Sequence, residues 1–563
     1  MKVPSAVAIT QLPPGDYRHD YVSLPANYGS PFYEGRADVQ RIRAAVADCL
    51  DRLERETGFT RKLSGRPALV KPNLVTVYHR MGLVEEDYPE STDPRVLEAA
   101  ILWLQRYTKE ISIVESSGRG APTRGSFHVA GLDRLARRLG CRLIALEEEP
   151  VERFLLTRAK VLKEALLPRI FRPVVEGEAF YLSLPKLKTN LYTTVTLGFK
   201  NAMGLLPYNL RQRNHNWALD QKLVDLLYLV QPDLTLVDGV VGGEGNCPAP
   251  VDPVDSQVLV AGTNALETDR VAARLMGFDP ESIPLLRLAG EMGFGHPDSA
   301  ILGKAAVCPF RPADPSLLSE EFVRQFPRVV ALVGRDGTGC GAEAGEEGAR
   351  MNPEAVCRMA MACRGGCLAT TRFAFEMVAR EGLPKDFPLV VIIGPGLTTD
   401  GERCWFDRFG RGYRPDEISR LPGPKLAVGN CTEGLREIAD RHVEGCMPFP
   451  NAPHMALHAM SGTRCRVLSS GNHQLLPMLA ATLRTWWVRR RRMVMGERLD
   501  VPLARDDQIL TARPLTTGEE EKDWVAWPMP SPTRVEIREM LRVEDRATWT
   551  TLFGTKGYRL RNL

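Results

Sequence analysis

The sequence predicts an α/β fold: a mainly parallel sheet with helices on both faces, followed by a second, smaller, cysteine-rich α/β domain. Two observations carry this. Short apolar runs alternate with stretches of helical spacing, the pattern of strand–helix–strand units. The same alternation starts again near residue 327. Residues 1–36 read as a loop-like N-terminal extension rich in Pro, Gly and Tyr, and ADVQRIRAAVADCLDRLERE (37–56) as a helix. PALVKPNLV (67–75) is a short buried strand with a polar end, and STDPRVLEAAILWLQR (91–106) a helix with an N-cap signal and an early Pro. ISIVE opens a strand that runs into SSGRG; GLDRLARRLG is a helix, and CRLIALEEE the next strand. AFYLSLPKL, DLTLVDGVV and SQVLVAGTN are further strands, and ETDRVAARLMG a helix. In the second domain RVVALVG, PLVVIIGPG and PKLAVGN each read as strand then turn. The expected division is an extension 1–36, a domain 37–308, a linker 309–326, a cysteine-rich domain 327–470 and a C-terminal extension 471–563.

A chain of 563 residues exceeds one ordinary domain and fits two or three. The balance of 73 Lys+Arg against 69 Asp+Glu leaves a net charge of +4, so a globally basic nucleic-acid binder is not expected. There is no apolar run of about 18 residues to cross a membrane. MKVPSAVAITQLPPGDY has no apolar core of a signal peptide. These features together predict a cytoplasmic protein, in which disulfides are rare.

The 12 cysteines therefore need another reading, and eight of them fall between 340 and 465. Reduced cysteines that cluster bind metals or do redox chemistry. Cys357, Cys363 and Cys367 lie in AVCRMAMACRGGCLA; Cys431 lies in VGNCTEGL and Cys446 in VEGCMPFP. Cys363 and Cys367 are spaced to share one helix face if Gly365-Gly366 do not break it. Four thiolates from separate loops suit an iron–sulfur cluster or zinc, although the ferredoxin C-x2-C spacing is absent. Buried structural cysteines and a redox-active thiol pair are the competing readings.

The segment LPKLKTNLYTTVTLGFKNAMGLLPYNLRQRNH (184–215) collects Lys186, Lys188, Lys200, Arg211, Arg213 and His215 without one acidic residue. Cations without local counter-charges at a strand end predict an anion site, with Asn190 and Asn201 supplying neutral hydrogen bonds; a solvated basic face is the plainer reading. Lys71 and Asn73 end another strand, and Ser116 and Ser117 open a Gly-rich loop that resembles a phosphate-cradling nest. Asp238, Glu244 and Asp269 are candidates to move protons or to hold a hard cation. QLLPMLAATLRTWWVRRRRM (474–493) reads as a helix with a basic end. Its Trp486–Arg492 stretch is a candidate docking surface for an acidic partner or a membrane.

KPNLV, the Ser/Gly loop after ISIVE, LPKLKTN…LGFKNAMGLLP, and LVDGVVGGEGNCP followed by ETDRVAARLMGFDP, in that order, resemble the DUF362 family over about 65–300. This is a domain of unknown function sometimes joined to iron–sulfur modules. The matching positions are Lys71, Pro72, Asn73, Pro185, Lys186, Lys188, Lys200, Asn201, Gly204, His215, Asp238, Gly239 and Asp269. The VGNC and EGCMPFP pieces resemble a shorter cysteine module found after such domains in some members. The combined expectation is an iron–sulfur-dependent redox enzyme acting on an anionic small molecule. Lys186, Lys200, His215 and Asp238 would be catalytic; Lys71, Asn73, Ser116, Ser117, Lys188, Asn190, Asn201 and Arg211 would bind substrate. Some of Cys357, Cys363, Cys367, Cys431 and Cys446 would hold a cluster of the 4Fe-4S kind, fed by an electron-donor protein. The alternatives are a Mg-dependent ligase, transferase or isomerase with structural or zinc-binding cysteines, and a cluster-carrying binding or assembly factor without turnover.

Overall fold

The computed structural model describes residues 4–18, 27–75, 77, 89–118, 122–207, 211, 216–249, 251–336, 343–345, 348–361, 366–399, 401–446, 448, 451–465, 474–501 and 515–553. The chain divides into two compact units. One comprises 1–211, 218–313 and 470–563; the other comprises 212–217 and 314–469.

The first unit is built on an 11-stranded mixed sheet. From one edge its strands run Ala300–Leu302, Ala6–Gln11, Val258–Gly262, Leu234–Glu244, Phe180–Leu184, Ala68–Pro72, Ile111–Glu115 and Arg142–Ala145. The last five are mutually parallel, and Val258–Gly262 pairs antiparallel with both of its neighbours. These strands read as continuous apolar runs because both faces are covered. Val7, Leu69, Val114, Tyr181, Val237 and Val260 share one core with the helices Leu219–Leu226, Ala265–Leu275 and Pro284–Glu291. The intervening Ala8, Val70, Ile113, Leu182 and Leu236 are equally buried, and the helix Ala37–Thr57 packs on the strands Ala6–Gln11 and Val258–Gly262. A three-stranded sheet joins Val151–Leu156, Glu164–Pro168 and Trp524–Trp527.

The extension 1–36 is not all loop. AVAITQ enters the sheet between Val258–Gly262 and Ala300–Leu302. Six residues of small and β-branched side chains suffice for a central strand, but they fall below the length at which alternation is readable. AFYLSLPKL is two strands, because Pro185 cannot donate to the ladder; Lys186–Asn190 then pairs with the Asp238 strand instead.

The second unit has a six-stranded sheet in the order Gly412–Tyr413, Glu402–Phe406, Val329–Arg335, Leu389–Thr399, Lys425–Val428 and Arg441–Val443. Its last four strands are parallel. Leu317, Phe322, Phe326 and Phe375 pack at its core. Among the described residues no helix is long and apolar enough to cross a membrane.

Candidate functional site

In open α/β sheets ligands bind at the carboxyl ends of parallel strands. In the first unit four such ends lie side by side, and each delivers a charged side chain. The strand ISIVE ends in Glu115, whose carboxylate accepts from Leu74 N at 2.9 Å, from Ser116 N at 2.8 Å and from Lys71 Nζ at 2.9 Å. Lys71 also donates to Asn201 Oδ1 at 2.9 Å, and Asn201 Nδ2 returns to Lys71 O at 3.2 Å and Ser183 Oγ at 3.1 Å. Asn73 Nδ2 reaches the same Asn201 Oδ1 at 3.3 Å. The Lys71–Glu115 pair is fully buried, and burial pulls the Lys71 amine down while Glu115 opposes the fall. Gly204 is required beside it: a Cβ there would stand 2.7 Å from Glu115 Oε1 and 2.8 Å from Lys71 Nζ.

A second knot joins Lys186 and Asp238, 2.9 Å apart and both without exposed surface. Asp238 also accepts from Asp93 N at 2.7 Å and Val240 N at 3.2 Å, yet burial pushes its carboxyl up. The segment 90–93 sews the strand ends together. Lys188 Nζ donates to Glu90 O; Thr92 Oγ1 accepts from Asn73 N at 2.7 Å and donates to Leu184 O at 2.8 Å. Asp93 then caps the helix Pro94–Leu104.

The sequence shows the lysine segment without local counter-charges, but the fold supplies one from another element, as it does for Lys71 outside the segment. Lys71 is neutralised by Glu115 and Lys186 by Asp238. Lys188 and Arg211 both act on Lys200, while the carboxylate of Glu90 acts on Lys188 and that of Asp220 on Lys200. Burial brings Lys188 down to about 8, with a further push from Lys186. It brings Lys200 down to about 7; Asp220 opposes, and Arg211 and Lys188 add to the fall. Lys200 Nζ stands 5.9 Å from the centre of the Tyr192 ring. Arg211 donates to Ser116 O at 2.8 Å and to Ser117 O. Asn190 is a local brace, accepting from Tyr192 N at 2.9 Å and Thr193 N at 3.2 Å. Asn73 Oδ1, Ser116 Oγ and Ser117 Oγ are buried with no hydrogen-bond partner among the described residues. Buried polar atoms are nearly always satisfied, so these three are unused hydrogen-bonding capacity in the same region. Residues 119–121 of the Gly-rich loop, Arg213 and His215 lie outside the described residues.

Asp238, Glu244 and Asp269 are not brought together. Glu244 accepts from Arg311 N at 2.8 Å. Asp269 accepts from Gly198 N at 2.9 Å and Phe199 N at 3.0 Å, fixing the helix Leu197–Asn201 that carries Lys200 and Asn201. The sequence reading passed over Glu115, Thr92 and Asp93. An acid closing an otherwise apolar strand was the available signal for Glu115; Thr92 and Asp93 read only as a helix start.

In the second unit the parallel strands Lys425–Val428 and Arg441–Val443 end in Gly-Asn-Cys and Glu-Gly-Cys. Their loops are laced: Asn430 N donates to Gly445 O at 3.3 Å, and Gly445 N to Asn430 Oδ1 at 2.6 Å. Cys431 and Cys446 each follow one member of this pair, and both are exposed. Cys367 opens the helix Cys367–Arg380 and is buried. Gly429 has φ 103°, and a Cβ there would stand 3.1 Å from Cys367 Sγ and 3.4 Å from Cys431 Sγ. The absent side chain leaves a cradle faced by two sulfurs, a donor set that fits a thiophilic metal or cluster. Cys363 lies outside the described residues, and Cys357 is exposed on the helix Pro353–Met361. The shared helix face for Cys363 and Cys367 is overturned: Gly366, at φ 76°, is the N-cap, so the helix begins only at Cys367. Elsewhere in this unit the buried Glu381, His454 and His458 and the partly buried Cys465 form a group with metal-ligand spacing.

The basic helix Leu475–Val494 belongs to the first unit. Arg489 is paired with Glu544, Arg490 with Asp545 and Arg492 with Glu149. Trp486 Nε1 donates to Asp545 at 2.8 Å. Leu476, Leu479, Leu483 and Trp487 remain exposed along its length.

The comparisons agree with the strand-end motifs. Residues 69–274 match the family model described as a domain of unknown function, DUF362. A thylakoid-associated protein of Synechocystis sp. (strain ATCC 27184 / PCC 6803 / Kazusa) is 31% identical over 127 residues, which are 22% of this chain and 39% of that protein. The chain thus spans well under half of that relative. No solved structure matches. The segment that delivers Lys71, Glu115, Lys186, Asn201, Asp238 and Asp269 to the strand ends, residues 69–274, is the part of the chain that matches the DUF362 family model.

Proposed function

We propose that the protein is an iron–sulfur redox enzyme whose DUF362 unit binds an anionic small molecule. The observation that carries the reading is the cradle at Gly429, where Cys367 and Cys431 turn their sulfurs toward one point and Cys446 lies on the adjoining laced loop. Cys367, Cys431 and Cys446 would hold the cluster, with Cys363 as the fourth thiolate. A cluster there supplies one-electron chemistry. The chain's own contribution is electrostatic. Lys188, Lys200 and Arg211 bring three basic side chains to the strand ends, and an anion placed there would favour the charged form of the two amines that burial disfavours. Asn73, Ser116 and Ser117 have free polar atoms to orient it. Donors fixed before the ligand arrives favour the state in which negative charge is largest. The magnesium reading has less behind it, since Glu244 and Asp269 are each committed to other partners.

The test is iron and acid-labile sulfide analysis of anaerobically purified full-length protein, with Cys431→Ser alongside. About four iron and four sulfide per chain, lost in the variant, are expected for this kind of cluster. Iron-free wild-type protein after anaerobic reconstitution would sink the redox reading.

A further inference from the structure

The helix Cys367–Arg380 ends at Glu381, which caps it and whose side chain is buried. The helix Asn451–Ser461 presents His454 and His458, four residues apart and so one turn apart on one face. Both imidazoles are buried, and their rings meet edge to face at 4.7 Å. His454 Nε2 is 2.6 Å from Glu381 Oε2, and His458 Nε2 is 2.7 Å from the same oxygen. The two Nε2 atoms are 3.3 Å apart. Past the helix end the chain turns at Gly462, φ 70°, and brings back Cys465. One ligand atom from each of these four residues lies within 4.8 Å of all the others.

A hydrogen-bonded network explains part of this arrangement. One carboxylate oxygen accepts from two imidazoles, which crowds two N–H groups at a single acceptor. A cation explains more. Two nitrogens bound about 2.05 Å from a tetrahedral ion stand about 3.3 Å apart, the spacing found here. The carboxylate needs to withdraw by about 0.8 Å to complete that geometry. The outer support is also in place: His458 Nδ1 is 2.8 Å from Thr463 Oγ1, which is 2.7 Å from Ser461 Oγ. A partner on the second ring nitrogen fixes the tautomer and aims the other nitrogen inward.

We propose that Glu381, His454, His458 and Cys465 bind one zinc ion in a closed, four-ligand structural site. Two imidazoles, a carboxylate and a thiolate are a borderline donor set that suits zinc above magnesium or calcium. Four protein ligands leave no position for a substrate, which makes the site structural. It is separate from the cysteine centre. Glu381 lies fourteen residues along from Cys367, about 20 Å at the helical rise. The ion ties the far end of the Cys367 helix to the helix that follows Cys446. It thereby braces the helix that Cys367 opens, without depending on that cluster.

The experiment uses full-length Cys431→Ser protein, stripped of metal and titrated with Co²⁺ and then Zn²⁺. The Cys431 change removes one proposed cluster ligand, and adding Cys363→Ser, Cys367→Ser and Cys446→Ser takes the other three thiolates out of the readout. One equivalent of cobalt should give tetrahedral ligand-field bands and a thiolate-to-cobalt charge-transfer band, both displaced by zinc. Adding Cys465→Ser should remove the charge-transfer band and keep the ligand-field bands. Adding His454→Gln and His458→Gln should abolish stoichiometric binding. Thr463→Val should weaken zinc about tenfold. Absence of a stoichiometric cobalt complex, or a charge-transfer band that survives Cys465→Ser, overturns the proposal. The Cys465→Ser spectrum decides the matter even where the histidine variants do not fold. Loss of iron from protein with Cys431→Ser alone, with zinc retained, leaves this site standing apart from the redox reading.

Discussion

Lys200 shows how a single residue trades stability for binding. The residue is partly buried, and its amine, 5.9 Å from the centre of the Tyr192 ring, falls to about 7 because burial outweighs the pull of Asp220. The folded-state value lies below the unfolded one, near 10.4. Between the two the unfolded chain holds the extra proton, so the folding free energy improves as pH rises and worsens as pH falls toward 7. A neutral side chain of similar length escapes this cost. Lys200→Met is therefore expected to be more stable than wild type at pH 7, with an advantage that shrinks steadily toward pH 9. Replacing a buried charge by an apolar group gains on the order of 1 kcal/mol or more. Urea unfolding at three pH values checks the trend, and an advantage that is flat or grows with pH contradicts it. The anion-binding reading adds a second signature. A bound anion favours the charged amine, so binding of a small dicarboxylate or of inorganic phosphate at pH 8 should take up a proton. Titration calorimetry in two buffers of different ionisation enthalpy measures that uptake.

At the scale of the element, the short helix Leu197–Asn201 depends on Asp269. Five residues cannot hold a helix by propensity alone, and the two N–H groups at its start, Gly198 and Phe199, both end on the Asp269 carboxylate. Burial nevertheless raises that carboxyl to about 7, the two bonds only limiting the rise. Its folded value is above the unfolded value near 3.9, so the folded state binds the extra proton. This contribution to stability is present at low pH and declines as pH rises through 7. The stability of wild type relative to Asp269→Asn should fall between about pH 4 and pH 7 and then level off. Equilibrium unfolding across that range tests it; a difference that stays constant assigns the titration elsewhere. Asp269 also shows where sequence reading reaches its limit. The strand ends at Lys71, Lys186 and Asp238 were legible because apolar runs stop abruptly at charged residues. The pairing of Lys71 with Glu115 was not, since it joins residues 44 apart whose proximity only the strand order decides. The strand Ala6–Gln11 was hidden by its brevity. The cysteine site was half-legible: clustering announced it, but Gly429 gains meaning only when Cys367 arrives from another element.

For the whole molecule, the C-terminal segment is the informative part. The DUF362 match ends at residue 274, yet 470–563 belongs to the same compact unit. Its strand Trp524–Trp527 pairs with Val151–Leu156, with Trp524 opposite Leu156 and Trp527 opposite Arg153. Thr485 donates to Glu148 at 2.9 Å, and Arg492 reaches Glu149 at 2.8 Å. Met478 packs against Gly125, where a side chain would collide with it. Glu149 is already pushed up by burial, which Arg492 opposes. A chain stopped at residue 469 would bare the edge of Val151–Leu156 and leave Glu149 without that arginine. Loss of a partly buried ion pair together with a strand edge and the Met478 contact costs on the order of 3 kcal/mol. An unpaired strand edge is also a template for aggregation. The truncated protein should therefore melt well below the full chain and associate on heating, although both the DUF362 segment and the cysteine-bearing unit are intact in it. Calorimetry of the two chains decides this: equal midpoints would show that 470–563 is an appendage, whereas a lowered first transition with the second preserved would assign the segment's stabilising role to the first unit alone.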